Sequence, residues 1–307
     1  MKSIKMIVIA YIKQLFLYAK DPLTFFETWA TKGRLNWMPD KLYISFMFRR
    51  QMGYWMNWNA PKTFNEKLQW LKIHNRNPLY TQLVDKYEVR KYIAEKINSE
   101  YLVPLLGVWD NVDDIDFDKL PNQFVLKCTH DSGSVIICKD KINFDFDSAK
   151  TRLSSRLRHN YFFYAREWPY KNVKPRIIAE EYMEDPSGEL RDYKFFCFNG
   201  DVNFLQVDYE RFIDHHRCIF DANWNIQQFS IIYPPKKEVK ISKPSNLNKM
   251  LDIASKISKE ISPFIRVDFY ECNEKLFIGE LTFYPEAGFA KFTPNSWDQT
   301  FGSLLTI

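Results

Sequence analysis

The chain has 307 residues, 46% of them hydrophobic and 17% aromatic, with 9 glycines. That composition suits a large packed core or two to three subdomains around a cleft, and excludes a disordered or repeat-built chain. A balance of 43 Lys+Arg against 38 Asp+Glu leaves a net charge of +5, which suits an anionic small substrate, and no recognition motif directs that charge to nucleic acid.

Residues 1–60 read as helical and rich in Trp, Phe and Met. The apolar run Met6 to Ile12 is too short to span a bilayer and is followed by Lys13 and Gln14. No small-residue cleavage site follows it, so it does not read as a signal peptide. A helix over residues 1–20 carries Lys2, Lys5, Lys13 and Lys20 around an apolar face. It has two expected resting places, an anionic membrane surface as a peripheral contact or the body of the protein.

Lys62 to Ile73 shows helical spacing in Phe64, Leu68 and Leu71, and Thr63 with Glu66 forms a capping-box pattern at its start. A second helix is expected over Tyr80 to Ile97, then an extended segment from Tyr101 to Trp109. Asp110 to Pro121 is an acidic linker. Beyond it, Gln123 to Lys127 and Ser134 to Lys139 read as two strands around a polar turn, and residues 145–166 as helical. Strands are expected over Arg176–Met183, Asp192–Asn199, Val202–Tyr209 and Cys218–Asp221. An amphipathic helix over Leu247 to Ile261 precedes a last hairpin, Phe264–Glu271 with Lys275–Phe283. Helices first, then antiparallel strands with helices inserted, is an α+β pattern. The five cysteines are odd in number, lack CxxC spacing and lie in apolar runs. They read as reduced core residues of a cytoplasmic protein.

The last hairpin carries the strongest chemical signal. Residues two apart in a strand share a face, so Arg266 and Asp268 project together, as do Glu280 and Thr282. A turn near Asn273 brings Asp268 toward Glu280. Two carboxylates and a cation inside an apolar frame are costly unless paired, and Mg²⁺ takes such oxygen ligands together with nucleotide phosphates. On an ordinary hairpin the same residues form a surface ion pair.

Three other segments are weaker alone. Lys127 ends a strand before a turn in which the N–H groups of Ser132, Gly133 and Ser134 can cradle phosphate, with His130 beside them. Glu180, Glu181, Tyr182 and Met183 end a strand and can offer backbone groups to an adenine edge. Asp192 and Lys194 share a strand face, where they can meet a ribose hydroxyl and a phosphate. A surface turn, a charged strand end and a cross-strand salt bridge explain these segments equally well one at a time. His215 and His216 fall in a polar loop that can contact an anionic acceptor.

In order, these segments resemble the ATP-grasp superfamily, whose nucleotide lies between two α+β subdomains. The segments TFNEKLQWLK, DKYEVRKYI, FVLKCTHDSGS, DYKFFCFNGD and GELTFYPEAG are similar to the TupA-like ATP-grasp family of cell-surface polysaccharide loci. The resemblance implies a helical segment at 1–60, an N-terminal α/β part at 61–120, a small lid subdomain at 121–183 and a C-terminal subdomain at 184–307. It implies ATP and Mg²⁺ as cofactors. Lys127 and Lys194 become phosphate-binding positions, Glu180 to Met183 the adenine hinge, Asp268 and Glu280 the metal carboxylates, and Arg266 the catalytic arginine. Thr282 stands where the superfamily usually has Asn, which bears on how many ions are held, and the phosphate loop has one glycine where two or more are usual. The implied activity is a carboxylate–amine ligation through an acyl phosphate, amidating a uronic acid or joining an amino acid to a surface polymer. The alternatives are a glycosyltransferase, as members are often labelled, and a sugar kinase on the same ATP site. The Asp-x-Asp spacings at Asp114, Asp116 and Asp118 that a glycosyltransferase needs fall in the acidic linker.

Overall fold

The computed structural model describes residues 22–185, 190–210, 214–236, 241–261 and 263–307. The helix expected over residues 1–20 lies outside them. Among the described residues no helix is long and apolar enough to cross a membrane.

Two antiparallel sheets organise the chain. The smaller has β1 (Leu105–Trp109), β2 (Phe124–Cys128), β3 (Ile136–Cys138) and β4 (Ile177–Glu181), in the order β1-β4-β2-β3. The larger begins with β5 (Asp192–Phe198), β6 (Asp201–Tyr209) and β7 (His216–Asp221). Next, β8 (Ser230–Ile231) leaves to pair with a late strand. The larger sheet is completed by β9 (Phe264–Cys272) and β10 (Lys275–Thr282), giving the order β10-β9-β5-β6-β7, and β11 (Phe292–Thr293) is the partner of β8. β1, expected in the N-terminal part, is thus a member of the smaller sheet.

Each sheet buries one face under a helix. The helix Phe146–Leu157 lays Ala149 and Leu153 on Phe124, Leu126, Ile177 and Ala179 of the smaller sheet. The helix Leu247–Glu260 lays Met250, Ala254 and Ile257 against Phe195, Leu205 and Val267 of the larger one. Because strand residues alternate, burying Phe195, Val267 and Phe269 under that helix turns Lys194, Arg266 and Asp268 to the opposite face. All five cysteines are free and buried.

Two expected helices are broken. In place of one over Tyr80 to Ile97 there are two, Leu79–Val84 and Val89–Lys96. The Asp85 carboxylate accepts hydrogen bonds from the N–H groups of Tyr87 (2.9 Å) and Glu88 (3.4 Å), which starts the second helix afresh. Residues 145–166 likewise divide into Phe146–Leu157 and Phe162–Ala165, with the Asn160 side chain accepting from Phe162 N–H at 3.0 Å.

The helix Phe64–His74 begins with the expected capping box, Thr63 with Glu66. Its apolar side enters the main core. Its polar side is also buried: the Asn65 and Gln69 amides and Lys72 Nζ donate to Ala290, Gly288 and Ala287 carbonyls at 2.7 to 2.8 Å. The C-terminal helix Ser296–Leu304, which no periodicity argument above anticipated, docks on the start of this helix. A Cβ on Gly302 would stand 2.2 Å from the Lys62 carbonyl oxygen and 2.8 Å from the Thr63 carbonyl carbon. Backbone cannot yield that much, so Gly302→Ala is expected to lower stability by about 3 kcal/mol, read as the urea midpoint; an unchanged midpoint would rule out this close docking.

Candidate active site

The site is built on the β9–β10 hairpin. Asn273 and Glu274, both at positive φ, make its two-residue turn. From that turn the register runs Lys275↔Cys272 to Ile278↔Phe269, then shifts, so that Glu280 faces Asp268 and Thr282 faces Arg266. Gly279 is the extra residue. Without the shift Glu280 would share a face with Ile278, toward the covering helix; the bulge turns it to the Asp268 side. A Cβ at Gly279 would meet the Tyr270 ring at 2.7 Å, which explains the glycine.

Lys194 of β5 lies opposite Asp268, so one row across three strands reads Glu280, Asp268, Lys194. Arg266 grips Asp268 with Nε to Oδ1 at 2.7 Å and Nη2 to Oδ2 at 2.6 Å, and Nη2 also reaches Glu280 and Thr282 at 3.2 Å. Lys194 Nζ donates to Asp268 at 3.0 Å and to Asp192. Burial lifts the Asp268 carboxyl against the pull of Arg266 and Lys194. At Glu280 burial is outweighed by Arg266 and Lys194, which hold its carboxyl down at about 2. Burial would lower Arg266, but Asp268 raises it further. Arg266, Asp268 and Lys194 are buried charges that survive because each is paired, while Glu280 stands at their edge and opens toward the cavity.

Glu280, Lys194 and Arg266 line the floor of a cavity of about 630 Å³, a size that suits a small-molecule substrate, with Asp268 buried behind them. Asp208 and Arg217 extend the floor, with Arg217 Nε donating to Asp208 at 2.6 Å and Nη2 to Glu286 at 3.3 Å. Tyr161, Tyr164, Tyr170 and Glu167 form one wall, Tyr284 with the 286–289 loop another, and Met47 and Gln51 of the helix Asp40–Met52 a third. The region before residue 60 therefore shapes the cavity.

The other expected residues lie around this floor at varied distances. Lys127 pairs with Glu180 at 2.6 Å, and Arg90 holds the same carboxylate at 3.2 Å. Ser132 lines the cavity, and Gly133 takes the left-handed conformation at φ +85°. His130 and Ser134 do not face it. The His130 ring is buried, with Nε2 3.2 Å from the Arg156 and His159 carbonyl oxygens. The Ser134 hydroxyl is used within the turn, accepting from Cys128 N–H and donating to Asp131 at 2.6 Å. Glu181 ends β4 opposite Phe124, and Tyr182 and Met183 lead out of the smaller sheet toward the larger, where the Glu184 carbonyl oxygen lies 3.4 Å from Cys272 Sγ. Asp192 is buried beside Lys194. The Asp114, Asp116 and Asp118 carboxylates are in exposed turns, with Asp116 2.9 Å from Lys119. His215 stacks on Tyr233 at the cavity edge, and His216 lies 2.9 Å from Asp214.

The sequence reading missed Asp208, Arg217, Glu167 and Lys72. For Asp208 and Arg217 a signal existed, since each is a charge inside an apolar strand, as Lys194 is. Glu167 stands in a loop with no period to mark it. Lys72 is wholly buried, yet the helical wheel places it on a polar side.

No curated protein matches the chain. Among solved structures it is similar to D-alanine–D-alanine ligase from Bacillus anthracis complexed with ATP, at 18% identity and TM-score 0.39 over 65% of this chain and 54% of that one. It is also similar to D-alanine–D-alanine ligase from Helicobacter pylori, at 14% and 0.39 over 79% and 69%. A third is the ADP complex of N5-carboxyaminoimidazole ribonucleotide synthetase, at 14% and 0.41 over 71% and 50%. The chain spans about half the length of the first of these. The TupA-like ATP-grasp family model matches residues 66–306, which takes in both sheets and every charged residue of the cavity floor, and the chain belongs to that family.

Proposed function

We propose that the protein is a Mg-ATP-dependent carboxylate–amine ligase. ATP phosphorylates a carboxylate, an amine attacks the acyl phosphate, and an amide, ADP and phosphate result. The observation that carries this reading is the set of Arg266, Lys194 and Glu280 on the cavity floor, paired through the buried Asp268, together with the family match. Phosphoryl transfer asks the protein for positioning and for charge stabilisation rather than covalent chemistry. Arg266 and Lys194 supply the cations, and Lys127 with the N–H groups of Ser132, Gly133 and Ser134 lies on the smaller sheet to meet phosphates. Glu180 to Met183, where the chain leaves that sheet, offers backbone groups to the adenine.

The donor set fits magnesium. Every group is an oxygen ligand, and Glu280 opens into the cavity while Asp268 stands next to it. Glu280 and Asp268 would hold the ion, with the Thr282 hydroxyl beside them. When bound, it supplies neutralisation of the nucleotide's phosphate charge.

For the substrates, the cavity offers cations to a carboxylate and several tyrosine rings to the faces of a sugar. This supports a uronic acid as the activated carboxylate, and with the family it supports a role in bacterial cell-surface polysaccharide biosynthesis. The carboxylate spacings at Asp114 to Asp118 lie outside the cavity, so no observation favours the glycosyltransferase alternative.

Calorimetry with a Mg-ATP analogue tests the nucleotide site. Wild type is expected to bind saturably, and Asp268→Asn combined with Glu280→Gln to weaken binding by about tenfold or more. Binding of a UDP- or GDP-sugar in place of ATP would overturn the ligase reading.

A further inference from the structure

The cavity is lined by four carboxylates: Glu167, Asp208, Glu280 and Glu286. Three have cationic partners in hydrogen-bond reach. Asp208 and Glu286 are held by Arg217, and Glu280 by Arg266. Glu167 differs. It is 5% exposed, yet among the described residues its carboxylate accepts no hydrogen bond and makes no ion pair. A buried carboxylate in that state has a cost that a bound donor would offset.

The surroundings say which donor. Tyr161, Tyr170 and Tyr284 line the same part of the cavity and sense the Glu167 charge. Tyrosine hydroxyl oxygens beside a carboxylate suit the three donors of an ammonium. Lys72 provides the other nearby positive charge, but its Nζ is spent on the Ala165 and Ala287 carbonyls at 2.8 Å. That makes Lys72 a positioning residue, tying the Glu167 loop to the facing 285–288 loop. Burial pushes the Glu167 carboxyl up, opposed by Lys72. Arg266 and Glu280 are close enough to be felt at Glu167, so a group docked there stands next to the cavity floor.

We propose that the Glu167 carboxylate is the docking point for the ammonium group of the amine substrate, which gives up one proton to water before its nitrogen attacks the acyl phosphate, a proposal that rests on the ligase reading above. The activated carboxylate then lies toward Lys194, Arg266 and Arg217, and the amine toward the one acidic group of the cavity left without a partner. The two substrates are sorted by sign of charge.

The test uses the full chain with ATP, Mg²⁺ and either glucuronate or galacturonate. Two nucleophiles of opposite expectation are compared: hydroxylamine, which is uncharged near neutral pH, and glycine, which presents an ammonium. Glu167→Gln is expected to raise the KM for glycine about ten- to a hundredfold and to change hydroxamate formation far less, with the urea midpoint showing that the variant is folded. Glu167→Asp should recover part of the glycine affinity. An unchanged KM for glycine would overturn the proposal, as would loss of hydroxamate formation, which would place Glu167 in folding or in the ATP half of the reaction. If wild type forms neither hydroxamate nor ADP with either uronate, the ligase reading itself fails and this site falls with it.

Discussion

Replacing Arg266 with Met is expected to slow ATP-dependent product formation by about a thousandfold. Arg266 is the group that touches both Asp268 and Glu280, and its guanidinium is held on the cavity floor before any substrate arrives. A cation fixed in a buried site stabilises developing charge without reorganising, which is why its loss falls on turnover more than on binding. Steady-state kinetics check this as a kcat effect larger than the effect on KM for ATP. Turnover within about threefold of wild type would remove Arg266 from the chemistry.

The second large effect is on stability. Lys194 is buried between Asp192 and Asp268, with Asp208 4.0 Å away. Lys194→Met fills much the same volume and removes the cation from among these carboxylates. Breaking a buried pair in this way costs about 3–5 kcal/mol, so the urea midpoint is expected to fall sharply. The deficit should also depend on pH. A carboxylate left buried without its cation has its folded pKa raised above the unfolded value. The cost therefore sets in as pH rises and should shrink below about pH 4, where the carboxylates are neutral in both states. A midpoint equal to wild type at neutral pH would show that Arg266 and Arg217 alone carry the balance.

The sequence made the architecture legible wherever one period dominates. The helix Leu247–Glu260 and the strands β5, β6, β9 and β10 follow the expected ranges to within a few residues, since each has one face in the core and one out of it. The pairing of Arg266 with Asp268 followed from two-residue spacing alone. Glu280 illustrates the limit. Counting back from the turn at Asn273 puts it on the wrong face, and only the bulge at Gly279 restores it. The glycine at the bulge leaves room for the Tyr270 ring, a cross-strand neighbour that no local pattern reports. Side-chain caps were the second gap: Asp85 and Asn160 each end one helical run and start another. Loop residues were the third. Glu167 and Lys72 acquire their roles only when segments distant in sequence meet, as when Lys72 reaches Ala165 and Ala287 at once.

The order of strands in the larger sheet has a consequence for how the protein is made. β5 lies between β6, which follows it directly, and β9, and the Lys194–Asp268 contact joins residues 74 positions apart. A ribosome delivers β5, β6 and β7 well before β9. Until then one edge of β5 has no neighbour, and Phe195, Phe196 and Phe198 lie along it, with Lys194 paired to Asp192 but still lacking Asp268. Such an edge is a template for association with other chains. The nascent protein therefore passes through a stage in which the strand that carries Lys194 is also an adhesive edge. Arrival of residues 264–282 ends that stage and completes the cavity floor in the same step, so a chain that stops short of them lacks that floor and is prone to aggregate.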